Sequence, residues 1–307
     1  MSEHPLDASA AAVLALLDEQ GGPMLEDGTP SEARAMYEAA WGGRTPAPPT
    51  GLTVDAVEVD GVPCLFTRHE HDVRPVLVWV HGGGWTIGSA ALAQTTAQVL
   101  AAEAGCHVLN VDYRLAPEHP FPAGLDDVES VCRAVLAGAL GDGVDHSLVA
   151  VGGDSSGGNL AAVVSSTVPG LCHQVLVYPS VDLTLSFPSV EANGEGRLLT
   201  ASVMRWFRSY YLGAVDADLR DPRVSPIFID DIAAAALPAA TFVLAGHDPL
   251  HDEGKAYADR LAALGVPVDV HPFPGQVHGF FELGPTVPEA GIAAGLVAGS
   301  LRRAFAA

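Results

Sequence analysis

Val149-Ala-Val-Gly-Gly-Asp-Ser155-Ser-Gly-Gly-Asn-Leu160 is the stretch whose reading decides the fold. A short apolar strand runs straight into a helix through Gly153-x-Ser155-x-Gly157. At the tip of such an elbow the serine is held in a strained backbone conformation with its hydroxyl presented. Small residues two before and two after it let strand and helix come close. The helix N-terminus behind it favours negative charge developing nearby. A bare Gly-x-Ser-x-Gly occurs often by chance; the strand–turn–helix setting is what lifts this one above a plain glycine-rich turn. Ser156 is a rival nucleophile, but only Ser155 has glycines at both −2 and +2. The main-chain N–H of Ser156 is instead expected to point into an oxyanion hole.

Upstream, Val80-His81-Gly82-Gly83-Gly84-Trp85 follows another strand. Consecutive glycines leave main-chain N–H groups unshielded and free to converge on an anion. A phosphate-cradling loop of the Walker type needs a downstream Gly-Lys-Ser/Thr, which this loop lacks. The remaining reading is a second source of oxyanion donors, from Gly83 and Gly84. A hydroxyl at neutral pH also needs a base, and the base an orienting acid. On this kind of sheet they follow the serine in the order acid, then histidine, each just past a strand. Thr241–Ala245 leads into Gly246-His-Asp248-Pro-Leu, and Val268–Phe273 leads into Pro274-Gly-Gln-Val-His278. Asp248 and His278 are therefore the expected partners of Ser155. Asp252 and Asp269 are the acids they displace.

Around these segments the chain alternates short Val/Leu-rich strands with helical stretches. Val54–Val59 and Val62–Thr67 flank Asp60-Gly61, a strong hairpin signal. Val76–Val80, His107–Asp112, Leu148–Gly152, Gln174–Tyr178, Thr241–Ala245 and Val268–Phe273 complete about eight strands. Near-continuous apolar strands between helices predict an α/β fold, with a mostly parallel sheet covered on both faces. Residues 6–41 read as two helices broken at Gly21-Gly22-Pro23, with a Pro/Gly-rich linker over Gly42–Gly51. Leu183–Arg223 interrupts the alternation with Met204, Trp206, Phe207, Tyr210 and Tyr211 at helical spacing. Taken singly, these aromatics read as ordinary core. Together they predict a helical lid, which the N-terminal helices complete. The expected organisation is N-terminal cap helices over 1–48, α/β core over 49–182, cap insertion over 183–223 and core again over 224–307. Trp85, Trp206, Phe207, Tyr210 and Leu250 are the expected substrate-contacting residues.

The 307 residues are 49% hydrophobic and 17% charged, which suits a compact globular chain. A net charge of −22 disfavours nucleic acid and anionic membranes as partners. Cys64, Cys106, Cys132 and Cys172 have no CxxC spacing and read as reduced thiols. The opening Met-Ser-Glu-His carries no cationic run, and Ala10–Leu17 is too short to span a membrane. A cytoplasmic protein is expected. His69 with His71, and His247 with His251, have no further ligands clustered beside them, so no metal site is expected there. Nothing in the sequence fixes the oligomeric state, and a homodimer is compatible with it.

With these residues in hand, the chain resembles the bacterial hormone-sensitive-lipase family of carboxylesterases, members of the α/β-hydrolase superfamily. The resemblance rests on His81-Gly-Gly-Gly-Trp85, Asp112-Tyr-Arg-Leu-Ala-Pro-Glu-His-Pro-Phe-Pro-Ala123, Gly153-Asp-Ser-Ser-Gly-Gly158, Asp248-Pro-Leu-His-Asp-Glu-Gly254 and His278-Gly-Phe280, in the family's order. It implies a capped α/β-hydrolase that cleaves small short-acyl esters without a cofactor. By motif, Ser155, Asp248 and His278 form the triad, and Gly83, Gly84 and Ser156 the oxyanion hole. Arg114 and Glu118 are expected in a structural ion pair or a capping role. Two departures stand out. Ser156 replaces the usual small residue and adds a hydroxyl near the acyl pocket. Val163, Val164, Thr167 and Val168 weaken the helix after the nucleophile. A ligand-binding receptor on the same scaffold is disfavoured because His278 is present. Lactone or amide hydrolysis, or acyl transfer, remains open on the same triad.

Overall fold

The computed structural model describes residues 4–42, 46–70, 72–196, 198–213, 215, 217–284 and 286–306; linker positions 43–45 and His71 lie outside them. One eight-stranded sheet organises the chain. Its strands are β1 (Leu52–Val59), β2 (Val62–His69), β3 (Arg74–Val80), β4 (His107–Val111), β5 (Val144–Asp154), β6 (His173–Val177), β7 (Ala239–His247) and β8 (Val268–Val277). Their spatial order is β1-β2-β4-β3-β5-β6-β7-β8. β1 pairs antiparallel with β2 around the Asp60-Gly61 turn, and β2 antiparallel with β4; every later pairing is parallel. The fold class and the eight strands are those the sequence predicts.

Several strands run further than their apolar runs suggest, β5, which spans Val144–Asp154, most of all. β8 continues past Phe273 through Pro274 and Gly275 to Val277. It is the outermost strand, so a proline there leaves no neighbour's hydrogen bond unmade on its open side. β7 likewise extends to His247, with a register shift between Ala245 and His247.

Helices cover both faces. On one, α3 (Gln94–Ala104) and α10 (Pro288–Ala304) bury Leu100, Ala101, Ala293, Val297 and Leu301 against Leu77, Val108, Val175 and Val243. On the other, α4 (Ala123–Leu136), α5 (Ser156–Thr167) and α9 (His251–Ala263) bury Val128, Val131, Leu160, Val164 and Leu261 against Val76, Val78, Val151 and Phe242. α5 forms over 12 residues despite its β-branched side chains. Ten of them are buried, and tertiary packing outweighs the small helix-propensity cost.

The N-terminal segment gives α1 (Ala8–Gln20) and α2 (Pro30–Trp41), separated at Gly21-Gly22-Pro23 as read. α2 starts on a capping box in which Thr29 Oγ1 accepts from Glu32 N and Glu32 Oε2 accepts from Thr29 N. The 183–223 segment contains α6 (Pro188–Ala192) and α7 (Ala201–Leu212). α7 begins at Thr200, whose hydroxyl accepts from Val203 N, and buries Val203, Met204, Phe207 and Tyr211 along one face. Ala33, Val190, Val203, Met204 and Phe207 form a third apolar cluster with Ile87 and Leu250. That cluster sits where loops leave the C-terminal ends of β3 and β7. The remaining helix, α8 (Asp231–Ala235), precedes β7.

Candidate active site

Five adjacent parallel strands, β3, β5, β6, β7 and β8, and the loops they release build the site. In register, Val80 lies beside Gly153, Asp154 beside Val177, and His247 beside Val277. The residues that follow are thus delivered to one edge: His81 from β3, Ser155 from β5, Tyr178 from β6, Asp248 from β7 and His278 from β8.

Ser155 has φ 55° and ψ −117°, a region non-glycine residues rarely occupy and one that costs on the order of 1–3 kcal/mol. Hydrogen bonds on both sides hold it there. Its N–H donates to Val177 O at 2.9 Å, and its carbonyl accepts from Asn159 N at 3.0 Å and Ser180 N at 3.1 Å. The glycine at +2 is a steric necessity, because a Cβ on Gly157 would fall 2.0 Å from Val80 O. The Ser155 hydroxyl stands 2.9 Å from His278 Nε2, and His278 Nδ1 stands 2.8 Å from Asp248 Oδ2. Asp248 is fully buried, and its second oxygen accepts from Leu250 N at 2.8 Å. The structure therefore brings Ser155, His278 and Asp248 into one hydrogen-bonded line. It leaves the other acids elsewhere: Asp252 accepts from Ser189 N and ties α9 to α6, and Asp269 pairs with Arg303 on the surface.

Above this line runs the glycine loop, and its carbonyls are tied down. His81 Nδ1–H donates to Gly82 O at 2.7 Å, and Gly83 O accepts from Thr86 N and Ile87 N at 3.1 and 2.9 Å. In a planar trans peptide the N–H opposes the C=O. Fixing these two carbonyls fixes the aim of the Gly83 and Gly84 N–H groups. The Thr86 hydroxyl donates to Gly84 O at 3.0 Å and holds the next peptide. Gly84 has φ 56°, and a Cβ there would fall 2.1 Å from the Phe207 ring, so α7 lies directly over the loop. Ser156 opens α5, placing its N–H at the positive end of that helix. Its side chain is buried beside Tyr113.

Several contributors escaped the sequence reading. Asp154 accepts from Gly82 N at 2.9 Å and joins the nucleophile turn to the glycine loop. Burial raises its carboxyl to about 6, opposed by that N–H and by His278. Burial likewise pushes Glu282 well up, with Asp154 adding to the effect. Tyr178 packs against His278 with ring centroids 4.6 Å apart. The buried Glu253 accepts from Val181 N and Asp182 N and holds the chain leaving β6. Arg114 and Glu118 are both ion-paired, yet not with each other: Arg114 binds Asp127 and Glu118 binds Arg34. Arg34 and Glu118 lie 84 residues apart in the chain, beyond the reach of any local pattern.

A cavity of about 650 Å³ reaches His81, Gly82 and Asp154 and is walled by Leu16, Leu17, Tyr37 and Trp41 from the N-terminal helices, with Glu282 and Leu283. None of Trp85, Trp206, Phe207, Tyr210 and Leu250 lines it. Trp85 stacks on Tyr211 at 4.3 Å, Trp206 packs edge-on against Phe207 and Tyr210, and Leu250 joins Phe207 in the third apolar cluster. The other singled-out histidines bond to backbone: His69 to Ala101 O, His247 to His4 O and His251 to Ala245 O. Among the described residues, no group of three or more His, Cys, Asp or Glu is placed to hold a metal ion.

A serine on a strained strand–helix turn, a histidine and an acid from the next strand ends, and a glycine loop opposite define one class of protein. Residues 77–282 match the family model described as alpha/beta hydrolase fold, and the chain belongs to that family. Its motifs place it in the hormone-sensitive-lipase branch. It is 38% identical to the carboxylesterase NlhH of Mycobacterium tuberculosis over 260 residues, 83% of this chain and 80% of that protein. It is 37% identical to the ethyl acetate hydrolase of Pseudomonas putida over 276 residues, 84% and 85% of the two chains. A thermostable Pseudomonas putida esterase superposes with a TM-score of 0.92 at 28% identity, over 99% of each chain. The hyperthermophilic esterase of Pyrobaculum calidifontis superposes with a TM-score of 0.89 at 32% identity, over 98% of this chain and 99% of that one.

Proposed function

We propose that the chain is a serine carboxylesterase that hydrolyses short-chain acyl esters through an acyl-enzyme. The observation that carries this reading is the line from Ser155 Oγ through the His278 ring to Asp248. Asp248 accepts a hydrogen bond from the Nδ1–H of His278, which leaves Nε2 as the free base. Nε2 takes the Ser155 proton as Oγ attacks the ester carbonyl. The N–H groups of Gly83, Gly84 and Ser156 receive the negative oxygen that forms. His278 then returns the proton to the departing alcohol oxygen, and Ser155 keeps the acyl group. Water, deprotonated by the same nitrogen, releases the acid and restores the serine.

The short-chain preference is supported by the roof. α2, α6 and α7 pack together over the strand ends, with Phe207 directly on Gly84. In this reading they act as a cap, with Phe207 and Leu250 bounding the acyl side. The ethyl acetate hydrolase among the relatives, named for a small ester, points the same way. No helix among the described residues is long and apolar enough to cross a membrane. With the charge of −22, that favours a small-molecule partner and a cytoplasmic setting. The test is turnover of acetyl to palmitoyl esters by wild type and Ser155→Ala. Activity peaking between acetyl and hexanoyl, and lost in the variant by on the order of 10⁶-fold, is expected. A profile rising to palmitoyl contradicts the capped short-chain site.

A further inference from the structure

We infer that Arg34, on the N-terminal helix α2, is a positioning residue for the oxyanion loop. The inference rests on the esterase reading above. The guanidinium makes three kinds of contact at once. Nε donates to Thr86 O at 2.8 Å, Nη2 donates to Ala116 O at 2.7 Å, and Nη1 and Nη2 bind the two oxygens of Glu118 at 2.8 and 2.6 Å. Thr86 is the residue that fastens the glycine loop from within: its N–H holds Gly83 O and its hydroxyl holds Gly84 O. Ala116 belongs to the facing loop, and its N–H donates to Trp85 O at 2.9 Å. Arg34 thus grips the glycine loop at Thr86 directly and at Trp85 through Ala116.

The geometry suits a fork: the four hydrogen bonds leave from three nitrogens, Nε, Nη1 and Nη2, whereas an ammonium offers three N–H groups on a single nitrogen. Glu118 is held down to about 2 by this partner, so the clamp stays charged across the working pH range. Arg34 touches no reacting atom; it acts through Thr86. Because it sits on α2, the seat of that helix and the aim of the Gly83 and Gly84 N–H groups are linked. When α2 is displaced, the loop loses an outer restraint, so full oxyanion stabilisation belongs to the seated form.

The test compares wild type, Arg34→Met and Arg34→Lys on a short-chain ester. Alongside, it measures affinity for a trifluoromethyl ketone, which forms a tetrahedral adduct with the serine, and for the matching plain ketone, which binds as a substrate does. In Arg34→Met, kcat is expected to fall about 10- to 100-fold with KM within about threefold, the pattern of an interaction realised in the transition state. Affinity for the trifluoromethyl ketone should fall by a similar factor while that for the plain ketone holds. Arg34→Lys should recover part of both losses. A clamp serving only to hold the fold lowers the melting temperature and leaves kcat and the ratio of the two ketone affinities at wild-type values. That result overturns the inference. If Arg34→Met does not fold, Arg34→Lys decides, and wild-type kcat with a wild-type affinity ratio in that variant overturns it equally. Failure of the esterase reading is seen separately, as absence of Ser155-dependent turnover in the wild type.

Discussion

The acid partner of His278 is where single residues compete most closely. Asp248 and Asp252 stand four positions apart, both near the start of α9. Their environments divide them: Asp248 is fully buried and spends one oxygen on His278 and the other on Leu250 N, while Asp252 serves Ser189 at the edge of α6. Asp248→Asn keeps the shape but offers the ring a wrong hydrogen-bonding partner, and kcat should fall about 10⁴-fold. Asp252→Asn should cost less than about tenfold. Steady-state kinetics on one short-chain ester checks both, and a larger loss in Asp252→Asn reverses the assignment. Ser155, Asp248 and His278 were legible as candidates because each follows a recognisable strand in an order the chemistry requires. Asp154 was not, although it sits inside the quoted motif. Its partner Gly82 is 72 residues away, and only the pairing of β3 with β5 brings them together.

Among the elements, α7 carries the most consequence for substrate choice. Its aromatics were legible as a helix, but which of them faces the site was not. Helical spacing gives Trp206, Phe207, Tyr210 and Tyr211 similar claims, and packing separates them: Phe207 lies on Gly84, Tyr211 stacks on Trp85, and Trp206 and Tyr210 are half-buried beyond them. The N-terminal helices were expected to complete the lid, but the residues of α1 and α2 that wall the cavity were not singled out, for a related reason. Leu16 and Leu17 look like a core face, yet they border the cavity and stay partly exposed. If α7 bounds the acyl side, Phe207→Ala should raise octanoyl over butanoyl turnover about tenfold relative to wild type. It should also cost about 3 kcal/mol of stability, as large-to-small core changes do. Chain-length profiles and denaturant melts read the two effects. An unchanged profile would place the acyl boundary on another element.

At the scale of the whole molecule, the charge of −22 and the buried histidines govern how stability responds to acid. His173 lies in the core between β6 and β7, its Nε2 beside Thr241 Oγ1 at 2.9 Å, and burial lowers its pKa from 6.5 to about 4. The folded chain holds it neutral where the unfolded chain takes up a proton. Its contribution is therefore present above about pH 6.5 and lost as the pH falls toward 4. His173→Gln removes that titration, so between pH 7 and 4 the wild type should lose up to about 3 kcal/mol more than the variant. Urea midpoints at several pH values check this; parallel curves would mean that His173 is not held neutral. Strand count and the mostly parallel class of the sheet were legible because buried parallel strands leave near-continuous apolar runs, whereas the strand order was not read. The extension of β8 through Pro274 was not, since a proline normally argues against a strand and only an edge position tolerates it.

The account turns on Ser155 being the residue that holds the acyl group. The most direct measurement is to react the enzyme with a small organophosphate and map the labelled peptide by mass spectrometry, with Ser155→Ala beside it. One equivalent of label on Ser155 at the moment activity is lost, and none in the variant, is the predicted result. Label on Ser156 or Ser165, or stoichiometric labelling that leaves ester hydrolysis intact, would contradict it.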